Sequence, residues 1–187
     1  MYQTSDIKNG LKLEIDGQPW TVTWFQFVKP GKGTAFTRTK IKNLITGQVR
    51  DITYRSGEKL KPANMAERRM SFLYQDGEDY NFMDTQSYEQ VAISKDVIQD
   101  EVQYLIEQME VDVLFFQERP VTMRVPNHVA LKITFCEPGV KGDTSSGATK
   151  PATLETGLIV QVPLFVNDGE SIKVDTRTGK YMERAKK

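Results

Sequence analysis

Apolar residues recur at every second position through most of this chain. Leu11, Leu13 and Ile15 alternate with Lys12 and Glu14 before Asp16-Gly17. Trp20 to Val28 reads WTVTWFQFV, and Thr34 to Leu44 reads TAFTRTKIKNL. A period of two, with β-branched and aromatic residues, predicts strands with one buried face. These two runs flank Lys29-Pro30-Gly31-Lys32-Gly33, so together they predict a long β-hairpin with a Pro- and Gly-containing tip. Thr46-Gly47 turns the chain into a further strand over Val49 to Tyr54, and periodicity lapses from Ser56 to Pro62. About five short strands in roughly 60 residues suggest an SH3-like barrel over residues 1–62.

A second unit, residues 63–128, opens with Met70, Phe72 and Tyr74 alternating into Asp76-Gly77, and Tyr80 and Phe82 return. From Ser94 to Met109 the period changes. Ile98, Val102, Leu105, Ile106 and Met109 fall at helical spacing behind a possible Ser94 N-cap, which predicts a helix. Val111 to Phe116 and Val121 to Val125 then pair about Gln117-Glu118-Arg119-Pro120. The third unit, residues 129–187, has Val129, Leu131, Ile133 and Phe135 in alternation. A loop from Glu137 to Pro151 follows, and strands resume at Leu158 to Val166 and Ser171 to Asp175. Loops of that length in compact β domains are usually functional or disordered. Two successive small five-stranded units suggest OB barrels, so the expected fold is all-β in three barrels.

The net charge of zero over 187 residues conceals segregation. Residues 1–62 carry 11 basic against 5 acidic side chains, residues 63–128 carry 5 against 13, and residues 129–187 carry 9 against 7. Basic ends around an acidic middle suggest a molecule that meets polyanion through its ends. The acidic middle reads either as a solvated surface or as a means of steering which faces dock. The one cysteine, Cys136, excludes an internal disulfide, and the one histidine, His128, excludes a multi-histidine metal site. No paired carboxylates, metal cluster or nucleophile elbow can be placed, so an enzyme is not expected and no cofactor is. No apolar stretch approaches the ~20 residues that span a bilayer, and no charged-then-apolar leader opens the chain. A cytoplasmic, monomeric protein without membrane contact is expected.

Lys32 is the candidate chemical group. Pro30 fixes its own φ, and Gly31 and Gly33 permit positive φ and close approach of another surface. A lysine so placed either keeps a tip soluble or reaches something outside the protein. A phosphate loop does not fit, because Gln26 and Gly33 stand where that pattern needs Gly and Ser or Thr, and a strand follows. Lys29, Lys40 and Lys42 add candidate phosphate contacts.

Three stretches together carry a resemblance. They are Val28 to Phe36 (VKPGKGTAF), the run from Pro138 through Lys141-Gly142-Asp143-Thr144 to Ala152, and Lys173 to Tyr181 (KVDTRTGKY). They resemble the bacterial translation elongation factor P family over essentially the whole chain. The resemblance implies an N-terminal SH3-like (KOW-type) barrel and two OB barrels in an L that imitates tRNA. It implies an accessory factor that binds the ribosome beside the peptidyl-tRNA and relieves stalling at consecutive prolines. It also implies post-translational modification of Lys32, of β-lysyl type, by a lysine-modifying enzyme. Gly142, Asp143 and Thr144 would then lie near the exit-site codon on the small subunit, and Tyr181 and Arg184 would touch tRNA. Thr34 stands where many family members with a lysine at the tip carry Gln. The competing expectation is a general RNA-binding β-barrel protein, whose binding would depend on salt and not on Lys32.

Overall fold

The computed structural model describes residues 1–139 and 147–186, and its regular structure is almost entirely β. The short strand β1 (Tyr2–Gln3) pairs, far along the chain, with β6 (Lys59–Leu60). Between them β2 (Lys12–Ile15), β3 (Gln18–Val28), β4 (Phe36–Asn43) and β5 (Val49–Arg55) form a meander in sequence order. Leu13, Trp20, Val22, Ile41 and Leu60 fill its core with Ile7 and Leu11. The β4–β5 turn is built by Asn43, whose Oδ1 accepts the amides of Ile45 and Thr46 at 2.8 and 3.0 Å, before Gly47 at φ +75°. This is the Asx device that the Asn-to-Gly spacing permits.

Two five-stranded sheets follow, from β7 (Met65–Asp76), β8 (Asp79–Asp84), β9 (Gln90–Ser94), β10 (Glu110–Phe116) and β11 (Arg119–Arg124), then β12 (His128–Cys136), β13 (Thr149–Leu154), β14 (Ile159–Pro163), β15 (Ser171–Asp175) and β16 (Lys180–Arg184). Their orders are β9-β8-β7-β10-β11 and β14-β13-β12-β15-β16. Numbered within each sheet, both read 3-2-1-4-5: the first strand is central and carries a two-strand meander on either side. The two halves therefore share one topology, as two OB barrels do. Phe72 and Phe82, with ring centroids 5.3 Å apart, anchor the first of these sheets. Leu131, Ile133, Leu154, Val162, Ile172 and Val174 fill the second. By packing, the chain divides into residues 1–68 with 113–122, and residues 69–112 with 123–187.

The helix expected from Ser94 to Met109 is not formed. Ser94 ends β9, and the chain then runs through successive turns with a single 3-10 turn at Val102–Tyr104. The apolar spacing is satisfied by burial, since Ile98, Tyr104 and Leu105 are all buried. The backbone is used elsewhere. The Gln108 amide donates to the Phe72 carbonyl at 2.7 Å, and the Phe72 amide donates to the Met109 carbonyl at 2.9 Å. Those bonds, with Gln108 at φ +64°, hold the end of the segment to β7 and deny it a helical last turn. Tertiary pairing has overridden a periodic signal.

Gly139 follows β12, and a Cβ built there would stand 2.8 Å from the Leu164 carbonyl oxygen. The nearest atoms are the backbone and Cβ of Leu164, which leave little to yield. Gly139→Ala should therefore lower stability by about 1–3 kcal/mol, read as a reduced urea midpoint with an unchanged m-value.

Candidate functional site

The β3–β4 hairpin has a buried root and a projecting arm. In its root, Val22 pairs with Ile41 and both are buried. Beyond Val22 the register shifts, and Thr23 is the extra residue on β3. Its hydroxyl donates to the Lys40 carbonyl at 3.1 Å. A bulge exchanges the faces of the strand that follows. Phe25 and Phe27 now lie on the core-side face, opposite Thr39 and Thr37, while Trp24 lies on the outer face opposite Lys40. Past the bulge the core ends, leaving Trp24, Phe25 and Phe27 exposed by 43%, 39% and 61%. Simple alternation through WTVTWFQFV assigns these faces wrongly, because a bulge shows only against its partner strand.

Threonines line the inner face of the arm on β4. Thr37 and Thr39 are buried, and the Thr39 hydroxyl donates to the Ile52 carbonyl of β5 at 2.8 Å. On the outer face Arg38, Lys40 and Lys42 alternate along β4 and are exposed. Among the described residues none of the three forms an ion pair, even though Asp51 stands across from Lys40 in the register. The result is a row of solvated cations with Trp24 and Phe36 among them, a chemistry suited to phosphate and base contacts.

Lys29, Pro30, Gly31, Lys32 and Gly33 come together at the tip, between Val28 and Phe36, the last pair of the hairpin. Lys32 is exposed and makes no hydrogen bond or ion pair among the described residues. The Ser56 amide, donating to the Ala35 carbonyl at 2.9 Å, ties the base of the tip to the end of β5. Only one of the two tip glycines adopts positive φ. Gly33 sits at φ +104°, whereas Gly31 does not enter the left-handed region and has open space about its missing Cβ.

The other candidate residues lie in the last sheet. Tyr181 is partly buried against the core and pairs with Val174. Arg184 is already engaged: its Nη2 donates to the Phe165 carbonyl at 2.9 Å, its Nε pairs with Glu170 at 3.1 Å, and its guanidinium lies 4.6 Å from the Phe165 ring centroid. Gly142, Asp143 and Thr144 lie outside the described residues. Cys136 is buried, and burial pushes its thiol pKa up, so it is a packed thiol and a poor nucleophile. Among the described residues no group of three or more His, Cys, Asp or Glu side chains is arranged to hold a metal ion.

Three family models match this chain in succession. The elongation factor P KOW-like domain matches residues 3–60, the elongation factor P OB domain residues 65–123, and the elongation factor P C-terminal domain residues 129–184. The chain belongs to the elongation factor P family. It is 50% identical to "Elongation factor P" of Natranaerobius thermophilus, over all of this chain and 99% of that protein. It is also 50% identical to "Elongation factor P 2" of Geobacter sulfurreducens, over the full length of both. Among solved structures, that of eukaryotic translation initiation factor 5A from Methanococcus jannaschii covers 66% of this chain and 94% of its own. Its TM-score is 0.57 at 22% identity, a likeness of fold alone. As a member of the elongation factor P family the chain is a translation elongation factor.

The structure accounts for much of the KVDTRTGKY stretch as the build of one hairpin. Asp175 takes the Arg177 guanidinium in a fork, Nε to Oδ1 at 3.1 Å and Nη2 to Oδ2 at 2.9 Å, and also accepts the Arg177 amide. The Thr176 hydroxyl donates to the Pro126 carbonyl at 2.6 Å, and Gly179 completes the turn at φ +71°. The Arg177 side chain and amide hold the Asp175 carboxyl down at about 2, from an ordinary 3.8. A depressed carboxyl stabilises the fold above its unfolded pKa and loses that contribution as pH falls through the folded one. Asp175→Asn should therefore be less stable than wild type at neutral pH, with the gap closing between pH 4 and 2, as followed by thermal unfolding across that range.

The two tip glycines should also part company. Gly33→Ala forces a residue with Cβ to φ +104°, at a cost of about 1–3 kcal/mol. The exposed tip should relieve that strain by moving, which backbone chemical shifts over residues 30–35 would report. Gly31→Ala should leave those shifts unchanged apart from the substituted residue and its immediate neighbours.

Proposed function

We propose that this elongation factor binds the ribosome beside the peptidyl-tRNA and assists peptide-bond formation at consecutive prolines. Lys32 is the working group. The observation that carries this reading is the exposed Lys32, unpartnered among the described residues, at the end of an arm whose outer face bears Arg38, Lys40 and Lys42 without ion pairs to any described residue. An ammonium that bonds to nothing among the described residues is free to meet a partner, and a cationic row leading to it suits an RNA surface.

Proline's ring makes the incoming nitrogen a hindered nucleophile and stiffens the nascent chain. The factor contributes position and charge, and the bond is made by the ribosome. Lys32, lengthened by a lysine-modifying enzyme with a β-lysyl-type group, reaches the acceptor end of the peptidyl-tRNA and holds it in a productive geometry. Its ammonium engages phosphate or ribose oxygens through charge-assisted hydrogen bonds. Alignment of reactants removes up to roughly 7–11 kcal/mol in ideal intramolecular cases, and the factor supplies part of that. Lys29, Lys40 and Lys42 contact phosphates along the arm. Arg184, occupied by Phe165 and Glu170, serves its own sheet first, and Tyr181 presents only part of its ring. Gly142, Asp143 and Thr144 are assigned to the small-subunit codon. The protein acts as a monomer in three modules, residues 1–62, 63–128 and 129–187.

Lys32→Ala should fold as wild type, because nothing among the described residues bonds its side chain. It should fail to relieve stalling on a reporter carrying a run of prolines. Normal relief by that variant would overturn the mechanism.

A further inference from the structure

The outer face of the arm carries a second feature below the Lys32 tip. Phe36 and Arg38 stand directly across from Arg55 and Thr53 of β5. Cross-strand partners share a face, with Cβ atoms about 4.5–5.5 Å apart directly and 7–8 Å on the diagonal. The four side chains therefore form a square with the two arginines at opposite corners. Thr34, leaving the tip, closes one side, and the five residues line a shallow cavity of about 470 Å³.

Both guanidiniums are available. Neither Arg38 nor Arg55 forms an ion pair among the described residues. Glu58, next to Arg55 in the chain turn, has one carboxylate oxygen committed to the Arg55 backbone amide at 3.0 Å. The Arg38 guanidinium lies 5.6 Å from the centroid of the Phe36 ring, so cation and ring make one extended surface.

We infer that this square is a subsite for one nucleotide of single-stranded RNA. Its phosphate sits between Arg38 and Arg55, its base stacks on the Phe36 and Arg38 surface, and the Thr34 and Thr53 hydroxyls meet the ribose. Two unpaired guanidiniums at one site call for an anion, and their forked donors match phosphate oxygens. The half-buried Phe36 ring and the exposed Arg38 guanidinium plane together call for a flat aromatic partner, as unstacked RNA bases are. A bare anion would leave the ring unused, and an apolar ligand would leave two charges unpaired. Phe36 is only four residues from Lys32, a separation of at most about 14 Å along the chain. Tip and subsite can therefore hold the same strand. The inference rests on the RNA reading of the arm proposed above, and it adds Phe36, Arg38 and Arg55 as the residues that fix where that strand lies.

The test is a titration of the full-length protein with adenosine 5′-monophosphate, followed by amide NMR, with adenosine and inorganic phosphate as separate probes. The nucleotide should shift the amides of Thr34, Phe36, Arg38, Thr53 and Arg55. Arg38→Gln and Arg55→Gln should each weaken its binding about tenfold or more, and Phe36→Leu should weaken the nucleotide while sparing phosphate. Absence of shifts at these residues would overturn the inference, as would equal shifts from phosphate alone or unchanged binding in the arginine variants. Lys32→Ala separates the two readings, since it should retain nucleotide binding while losing relief at prolines. Nucleotide binding alongside normal relief in that variant would sink the mechanism and leave the subsite standing.

Discussion

One extra residue in β3 decides what the N-terminal sheet can do. Below Thr23, Trp20 and Val22 turn into the core with Ile41, and hydrophobic burial holds the strands together. Above it the faces exchange, the core stops, and the hairpin continues only as a ladder of backbone bonds with Thr39 fastened to β5. The arm can afford to be polar and exposed because its root is buried. Trp24 is carried by the same exchange onto the outer face, among the cations, where it would otherwise have pointed coreward. Lys32 depends on this arrangement: a lysine on a short hairpin would lie against its own domain.

The two later sheets follow a different economy. Both use the order 3-2-1-4-5, and both spend distinctive sequence on turns rather than on chemistry. Asp84 repeats the device seen at Asn43, its Oδ1 accepting the amides of Gln86 and Ser87. Asp175, Thr176, Arg177 and Gly179 close the last hairpin. A conspicuous motif can thus be conspicuous because a tight turn demands particular side chains. The Lys32 tip is the opposite case, since its exposed lysine bonds to nothing among the described residues.

The strands were legible because period-two alternation registers a half-buried sheet directly, as in Leu11 to Ile15 and Val129 to Phe135. The family, too, was legible from VKPGKGTAF and KVDTRTGKY. Three things were not. The segment after Ser94 has helical spacing, yet Phe72 claims its final backbone groups, and no local pattern announces a partner so far back in the chain. The Thr23 bulge leaves no mark on β3 alone. Gly31 and Gly33 look equivalent in sequence, but only the second needs its missing side chain. As for the site, sequence picked out the tip and the Lys40 and Lys42 row. It passed over Arg38 and Arg55, which become neighbours of Phe36 only when β4 and β5 pair, and it could not show that Arg184 is held by Phe165 and Glu170.

Lys32 is proposed as the working group at the end of the arm. The most direct test of that role is the intact mass of the protein purified from its native cells, with fragmentation across residues 29–38. The expected result is an added mass localised to Lys32, consistent with a β-lysyl-type group. An unmodified Lys32 in a preparation fully active at proline runs would contradict that role.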